Sequence, residues 1–186
     1  MKRLILAYPR SATTYTSKMV RAHGIKFGHE TFGDPTDGLI SYFKIHYPYK
    51  YDVVLHQVRD PLKTISSALT VLAKRTHNEF HTLFAMDDAD RKRSKLYQVM
   101  WTWLELNELA EEASEWRYRI EDIDEVYPEL CKRLEIQPQE GFPPVNRLVN
   151  TRPYPMLTWD DLDKEDLALS QRIKEKTKQY GYKGDK

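Results

Sequence analysis

Cysteine is nearly absent from this chain of 186 residues, which has only Cys131. One thiol cannot close an internal disulfide, so a reducing, cytoplasmic setting is expected. An excess of charge of one sign is also missing. The formal net charge is +1, from 29 Lys and Arg against 28 Asp and Glu. No general field then favours nucleic acid or an acidic membrane as a partner, and any anion site must be local. Long apolar runs are missing too. None would span a bilayer, and the one near the N-terminus is closed by Pro9 and Arg10 before it reaches signal-peptide length. The string Gly-x-x-x-x-Gly-Lys-Ser/Thr does not occur, which disfavours an ordinary ATP or GTP hydrolase. His23, His56, His77 and His81 show no metal-ligand spacing with cysteines or carboxylates.

What is present suits one soluble domain over residues 1–186, with a core large enough to stand without staples. Leu4 to Tyr8 is a short apolar run of the buried-strand type. A polar turn, Pro9 to Thr14, leads into a helical pattern that starts near Thr14 and ends at Gly24. Ile25 to Glu30 and Ser41 to His46 read as short strands, with a loop from Phe32 to Asp37 between them. Tyr51 to Val58 is a second buried strand, followed by Arg59-Asp60-Pro61 and a helix from Leu62 to about Leu72. Thr76 to Lys95 is polar, either a solvated helix start or a lid. Leu96 to Ala110 is an amphipathic helix in which Trp101 and Trp103 pack. Trp116 to Ile120 is a third strand, and Glu121 and Asp122 are placed to cap the helix from Tyr127 to Leu134. Cys131 lies on that helix beside Leu130 and Leu134 as a core thiol. Gln137 to Pro155 is mostly loop, and Thr158, with Asp161 three residues on, opens a last helix that ends near Tyr180. Strands alternating with helices predict an α/β fold, a three-layer sandwich around a mainly parallel sheet.

Strand, polar turn and helix occur twice. In the first case, Tyr8-Pro9-Arg10-Ser11-Ala12-Thr13-Thr14-Tyr15 joins a buried strand to a helix start. Free N–H groups and the dipole at such a start favour an anion. Ser11, Thr13 and Thr14 add hydroxyl donors, and Arg10 adds a fork matched to phosphate or sulfate oxygens. The plain alternative is a capped turn with a solvated arginine. In the second case Pro61 fits the first turn of a helix, and Arg59 stands at a strand's C-terminal end, where open α/β sheets bind ligands. Ser67 follows Arg59 by eight residues and falls about two turns into the helix. Here the plain alternative is a surface ion pair of Arg59 with Asp60.

Taken together, the two segments resemble the sulfotransferases that use 3′-phosphoadenosine 5′-phosphosulfate (PAPS), in particular the smaller bacterial and phage-type members. The first is similar to the family's 5′-phosphosulfate loop, usually Pro-Lys/Arg-Ser-Gly-Thr-Thr. The second is similar to its 3′-phosphate element, Arg-Asn/Asp-Pro with a serine eight residues after the arginine. Gly28-His29-Glu30, Val54-Leu55-His56-Gln57-Val58, Tyr118-Arg119-Ile120-Glu121-Asp122 and Tyr180-Gly181-Tyr182 extend the likeness over most of the chain. The resemblance implies a P-loop-NTPase-like sulfotransferase fold and PAPS as co-substrate, with the nucleotide held by Arg10, Ser11, Ala12, Thr13, Thr14, Tyr15, Arg59 and Ser67. Two positions depart from the family. Ala12 stands where glycine is usual, which strains the loop if a positive φ is needed there and is harmless if only small size is. The late Arg-Lys-Gly segment of many cytosolic members is missing, and Asn150-Thr151-Arg152 lies where a replacement would sit.

Sulfuryl transfer, like phosphoryl transfer, is an in-line displacement governed by positioning and electrostatics. Arg10 is the candidate cation for the transferring group and the leaving phosphate. Two bases compete for the acceptor proton. Glu30 falls where glycan-type and small bacterial relatives use a glutamate. His46, in Lys44-Ile45-His46-Tyr47-Pro48, looks like the Lys-x-His-x-Pro of the cytosolic relatives, but it stands only thirteen residues before Arg59. Glu30 is preferred, with His29 beside it as a residue that would orient the site. The acceptor is expected to be a carbohydrate or small molecule carrying a hydroxyl or amine, and no metal is required. Tyrosines between Tyr42 and Tyr51 would line its pocket or simply pack. The remaining readings are a non-catalytic phosphoadenosine-nucleotide binder and a small-molecule kinase with a degenerate phosphate loop.

Overall fold

The computed structural model describes residues 1–30, 37–42, 50–72, 86–140 and 153–183. Among these residues five strands, β1 (Arg3–Ala7), β2 (Phe27–His29), β3 (Gly38–Ser41), β4 (Val53–Val58) and β5 (Trp116–Arg119), form one sheet in the order β2-β3-β1-β4-β5. Every pairing is parallel; Ile5 lies between Ile40 and Leu55, and Ala7 lies beside Gln57. The helices are α1 (Thr13–Arg21), α2 (Pro61–Leu72), α3 (Lys95–Ala113), α4 (Ile123–Arg133), α5 (Trp159–Glu165) and α6 (Leu167–Gln179).

The chain divides into two compact units, Met1–Val58 with Leu109–Thr151, and Arg59–Glu108 with Arg152–Lys186. The first holds the whole sheet. Parallel strands need apolar residues on both faces, and β1 supplies them in alternation. Ile5 and Ala7 join Met19 and Val20 of α1 and Tyr127, Leu130 and Cys131 of α4 in one core. Leu4 and Leu6 join Leu39 and Ala110, from the end of α3, in the other. The arrangement is α/β with helices on both faces of the sheet, consistent with a three-layer sandwich. Cys131 is fully buried, and burial pushes its thiol above the ordinary range, as suits a core residue.

In the second unit α2, α3, α5 and α6 bury Ile65, Val99, Met100, Trp103, Leu162, Leu169 and Ile173, with the Trp103 ring 6.3 Å from that of Tyr180. Asp166 interrupts the expected last helix and makes two of it. Its backbone is extended (φ −160°), its carboxylate accepts from the Leu169 N–H, and it pairs with Arg93 at 3.0 Å. Thr158 forms the expected capping box with Asp161.

Two boundaries and one cap differ from expectation. The strand expected at Ser41 to His46 begins earlier, at Gly38, and residues 43–49 lie outside the described set. Gly38 has φ 146°, and a Cβ there would meet the Arg3 carbonyl at 2.3 Å. Glycine thus serves close strand approach here. Helix α4 starts at Ile123 and keeps Pro128 inside it, although proline usually marks a first turn. Asp122 does not cap α4 through its side chain; its carboxylate pairs with Arg119 at 2.5 Å, and Glu121 sits in the short 3-10 turn before the helix.

Candidate functional site

At the C-terminal end of β1 the chain must reverse into α1 within the segment Tyr8 to Ala12. The Ser11 N–H donates to the Tyr8 carbonyl at 3.1 Å and closes the turn. Arg10 and Ala12 both adopt left-handed backbone, with φ 74° and 62°. For residues with a Cβ this costs about 1–2 kcal/mol each. Left-handed residues placed one apart build the kind of backbone concavity that collects N–H groups around an anion. The alternative left open at Ala12 is thereby resolved: the position has a positive φ, and alanine occupies it under strain.

Helix α1 begins without any side-chain cap, and its first backbone bond runs from Thr16 N–H to the Ala12 carbonyl at 3.1 Å. A helix start carries donors in need of partners and the positive end of the dipole. Ser11 and Thr13 are buried there, while Arg10 and Thr14 are half-buried. His29, the last residue of β2, bridges the two threonines. Its Nε2 lies 2.9 Å from Thr13 Oγ1 and 3.3 Å from Thr14 Oγ1. Burial, and then the charge of Arg21, hold its pKa below the ordinary value, so the ring is neutral at pH 7. Glu30 follows on the same C-terminal edge of the sheet. It is half-buried and left-handed (φ 48°), and its N–H donates to the Ile40 carbonyl at 3.0 Å. The loop, His29 and Glu30 thus belong to one unit and one edge.

A residue that sequence reasoning passed over, Gln57 of β4, is also part of this loop. It is fully buried, and it donates from Nε2 to the Ser11 carbonyl. The signal was there to be read. A glutamine inside the buried run Val53-Val54-Leu55-His56-Gln57-Val58 must find partners.

In the second unit Asp60 Oδ1 accepts from the Lys63 N–H at 2.9 Å and caps α2, with Pro61 as its first residue. The aspartate of Arg59-Asp60-Pro61 therefore serves the helix start. Arg59 is half-buried, directly after the last residue of β4, and Ser67 is buried within α2. His46 and the stretch Asn150-Thr151-Arg152 lie outside the described residues. Among the described residues no group of three or more His, Cys, Asp or Glu is arranged to hold a metal, and no helix is long and apolar enough to cross a membrane. Searches against family models and curated proteins gave no match.

Proposed function

We propose that this chain is a sulfotransferase that moves the sulfuryl group of PAPS to a hydroxyl or amine of a carbohydrate or small molecule, in a P-loop-like sulfotransferase fold. The observation that supports this most is the loop from Arg10 to Thr14: two left-handed residues ahead of a helix with no side-chain cap, at the C-terminal end of the central strand. Its sequence resembles a 5′-phosphosulfate loop, with Ala12 where glycine is usual. The strand leading into the second motif, β4, pairs with β1 in the sheet.

In this reading Arg10, Ser11, Thr13, Thr14 and Tyr15 hold the 5′ side, with Ala12 contributing backbone. Arg59 and Ser67 hold the 3′-phosphate. The acceptor oxygen or nitrogen attacks sulfur, the bond from sulfur to the bridging phosphate oxygen breaks, and 3′-phosphoadenosine 5′-phosphate (PAP) leaves with the electron pair. Arg10 compensates the charge that builds on that oxygen. Glu30 takes the acceptor proton, and His46 is the rival for that step. The neutral His29 keeps the threonine hydroxyls in place. No metal takes part, and the enzyme works in the cytoplasm without a nucleic-acid or membrane partner.

Calorimetric titration with PAP, AMP and ATP tests this reading, followed by an acceptor screen with labelled PAPS. PAP should bind far more tightly than AMP or ATP. Equal affinity for AMP and PAP would overturn the assignment. Tight PAP binding without transfer to any acceptor would favour the non-catalytic binder, and magnesium-dependent ATP turnover would favour the kinase.

A further inference from the structure

The Ser11 carbonyl lies between two left-handed residues, and there the loop is tied to the sheet. Gln57 Nε2 donates to it. A carbonyl can only accept, so this bond fixes which end of the amide is nitrogen. The other end must then accept, and it does so twice. Thr16 Oγ1 of α1 donates to Gln57 Oε1 at 2.6 Å, and the Tyr118 hydroxyl of β5 donates to it at 2.7 Å. One amide joins the loop, the first helix and two strands. Gln57, Thr16, Tyr118 and Ser11 are all buried, so breaking one of these bonds strands a polar group away from water.

We infer that Gln57 is a positioning residue for the loop: its amide holds the Ser11 carbonyl and with it the left-handed turn that shapes the anion site. The identity of the ligand rests on the sulfotransferase reading; the pinning of the loop does not. The chemistry admits a sharp substitution. A carboxylate at this position sets oxygen against the Ser11 carbonyl oxygen. A protonated carboxyl instead donates its O–H to Ser11 and accepts from both hydroxyls, as the amide does. Burial raises a carboxyl pKa, so one variant passes between the two states near neutrality. Of the groups bonded to the Gln57 amide among the described residues, only Tyr118 titrates, and burial holds its phenol far above the ordinary range. On the neighbouring strand β1 the register partner is Ala7.

The experiment compares wild type, Gln57→Glu and Gln57→Leu at about pH 5.5 and about pH 8, pH values on either side of a raised carboxyl pKa. It reads PAP affinity by calorimetry and hydrogen exchange in the peptide spanning residues 8–15. At the higher pH Gln57→Glu should lose about tenfold in PAP affinity, the scale of one stranded buried group. Exchange in that peptide should quicken against wild type at the same pH. Both should return near wild type at the lower pH, while Gln57→Leu stays impaired at both. Wild-type affinity and exchange in Gln57→Glu at the higher pH would overturn the inference. So would faster exchange spread evenly over the chain, the mark of a core residue only. If Gln57→Leu does not fold, the two pH values of Gln57→Glu decide. If wild type binds no PAP, the sulfotransferase reading falls, and exchange in residues 8–15 still decides the role of Gln57.

Discussion

Helix α2 starts on Asp60, whose carboxylate accepts from the Lys63 N–H, with Pro61 next in the chain. Helix α1 starts on Ala12, a residue with nothing to cap with, held in a left-handed conformation. Both helices follow central, neighbouring strands of one parallel sheet. The first of these two starts satisfies itself from its own sequence. The second spends conformational energy and takes no cap from its own N-cap side chain. Capping is worth about 1 kcal/mol, and the left-handed residues cost a similar amount each. Under the proposed function, α1 would serve binding and the α2 cap scaffolding, with Arg59 and Ser67 contributing through their side chains.

The largest effect that would break this comparison is on turnover. Glu30→Gln keeps shape and removes basicity, and should lower turnover by about 10²–10⁴ with PAP affinity nearly unchanged. His46→Asn, assayed with the same acceptor, should do much less; the reverse pattern in steady-state kinetics would move the base to His46. Next comes Arg59→Ala, which should weaken PAP binding in calorimetry by about 1.5–3 kcal/mol, the scale of a charge-assisted bond. Wild-type affinity in a folded Arg59→Ala would reduce the second turn to scaffold alone.

How far these segments were legible in the sequence depends on what each residue had to satisfy. The apolar runs at Leu4 to Tyr8 and Tyr51 to Val58 gave β1 and β4 to within a residue or two, because burial on both faces leaves little freedom of composition. The helix starts at Thr158 and Pro61 were readable because capping is a local matter. β3 begins three residues before the expected Ser41, because the close approach of Gly38 to the Arg3 backbone is not visible in sequence. The left-handed Arg10 and Glu30 could not be read at all, since neither residue type favours that conformation. The partners of Gln57 are spread over Ser11, Thr16 and Tyr118, a convergence that only the folded sheet creates.

Smaller effects sharpen the comparison. Ala12→Gly relieves the left-handed strain but adds chain entropy to the unfolded state, so thermal unfolding should show a gain of about 0.5–1 kcal/mol with PAP binding kept. Asp60→Ala should lose about 1 kcal/mol in the same measurement. Opposite signs at the two helix starts are the expected result, and equal signs would erase the distinction. The smallest effect concerns His29. Its folded pKa lies below the unfolded value, so the unfolded chain binds more protons between the two. Its contribution to stability is complete above the unfolded pKa of about 6.5 and is lost as pH falls below it. His29→Gln should flatten the acid side of the stability curve in denaturant titrations through that window.

Among the described residues the two outermost strands, β2 with three residues and β5 with four, are the shortest in the sheet except for β3, which equals β5. A sheet grows by adding chains at its margins, and a margin this brief gives an incoming strand few hydrogen bonds to make. β5 also carries Arg117 and Arg119, which form ion pairs with Glu111 and Asp122 along that border. Short lateral strands and guarding charges are the means by which soluble sheets avoid self-templating. The sheet formed by the described residues is thus poorly suited to fibre growth from its sides, and concentrated solutions of the chain should stay free of β-rich aggregates.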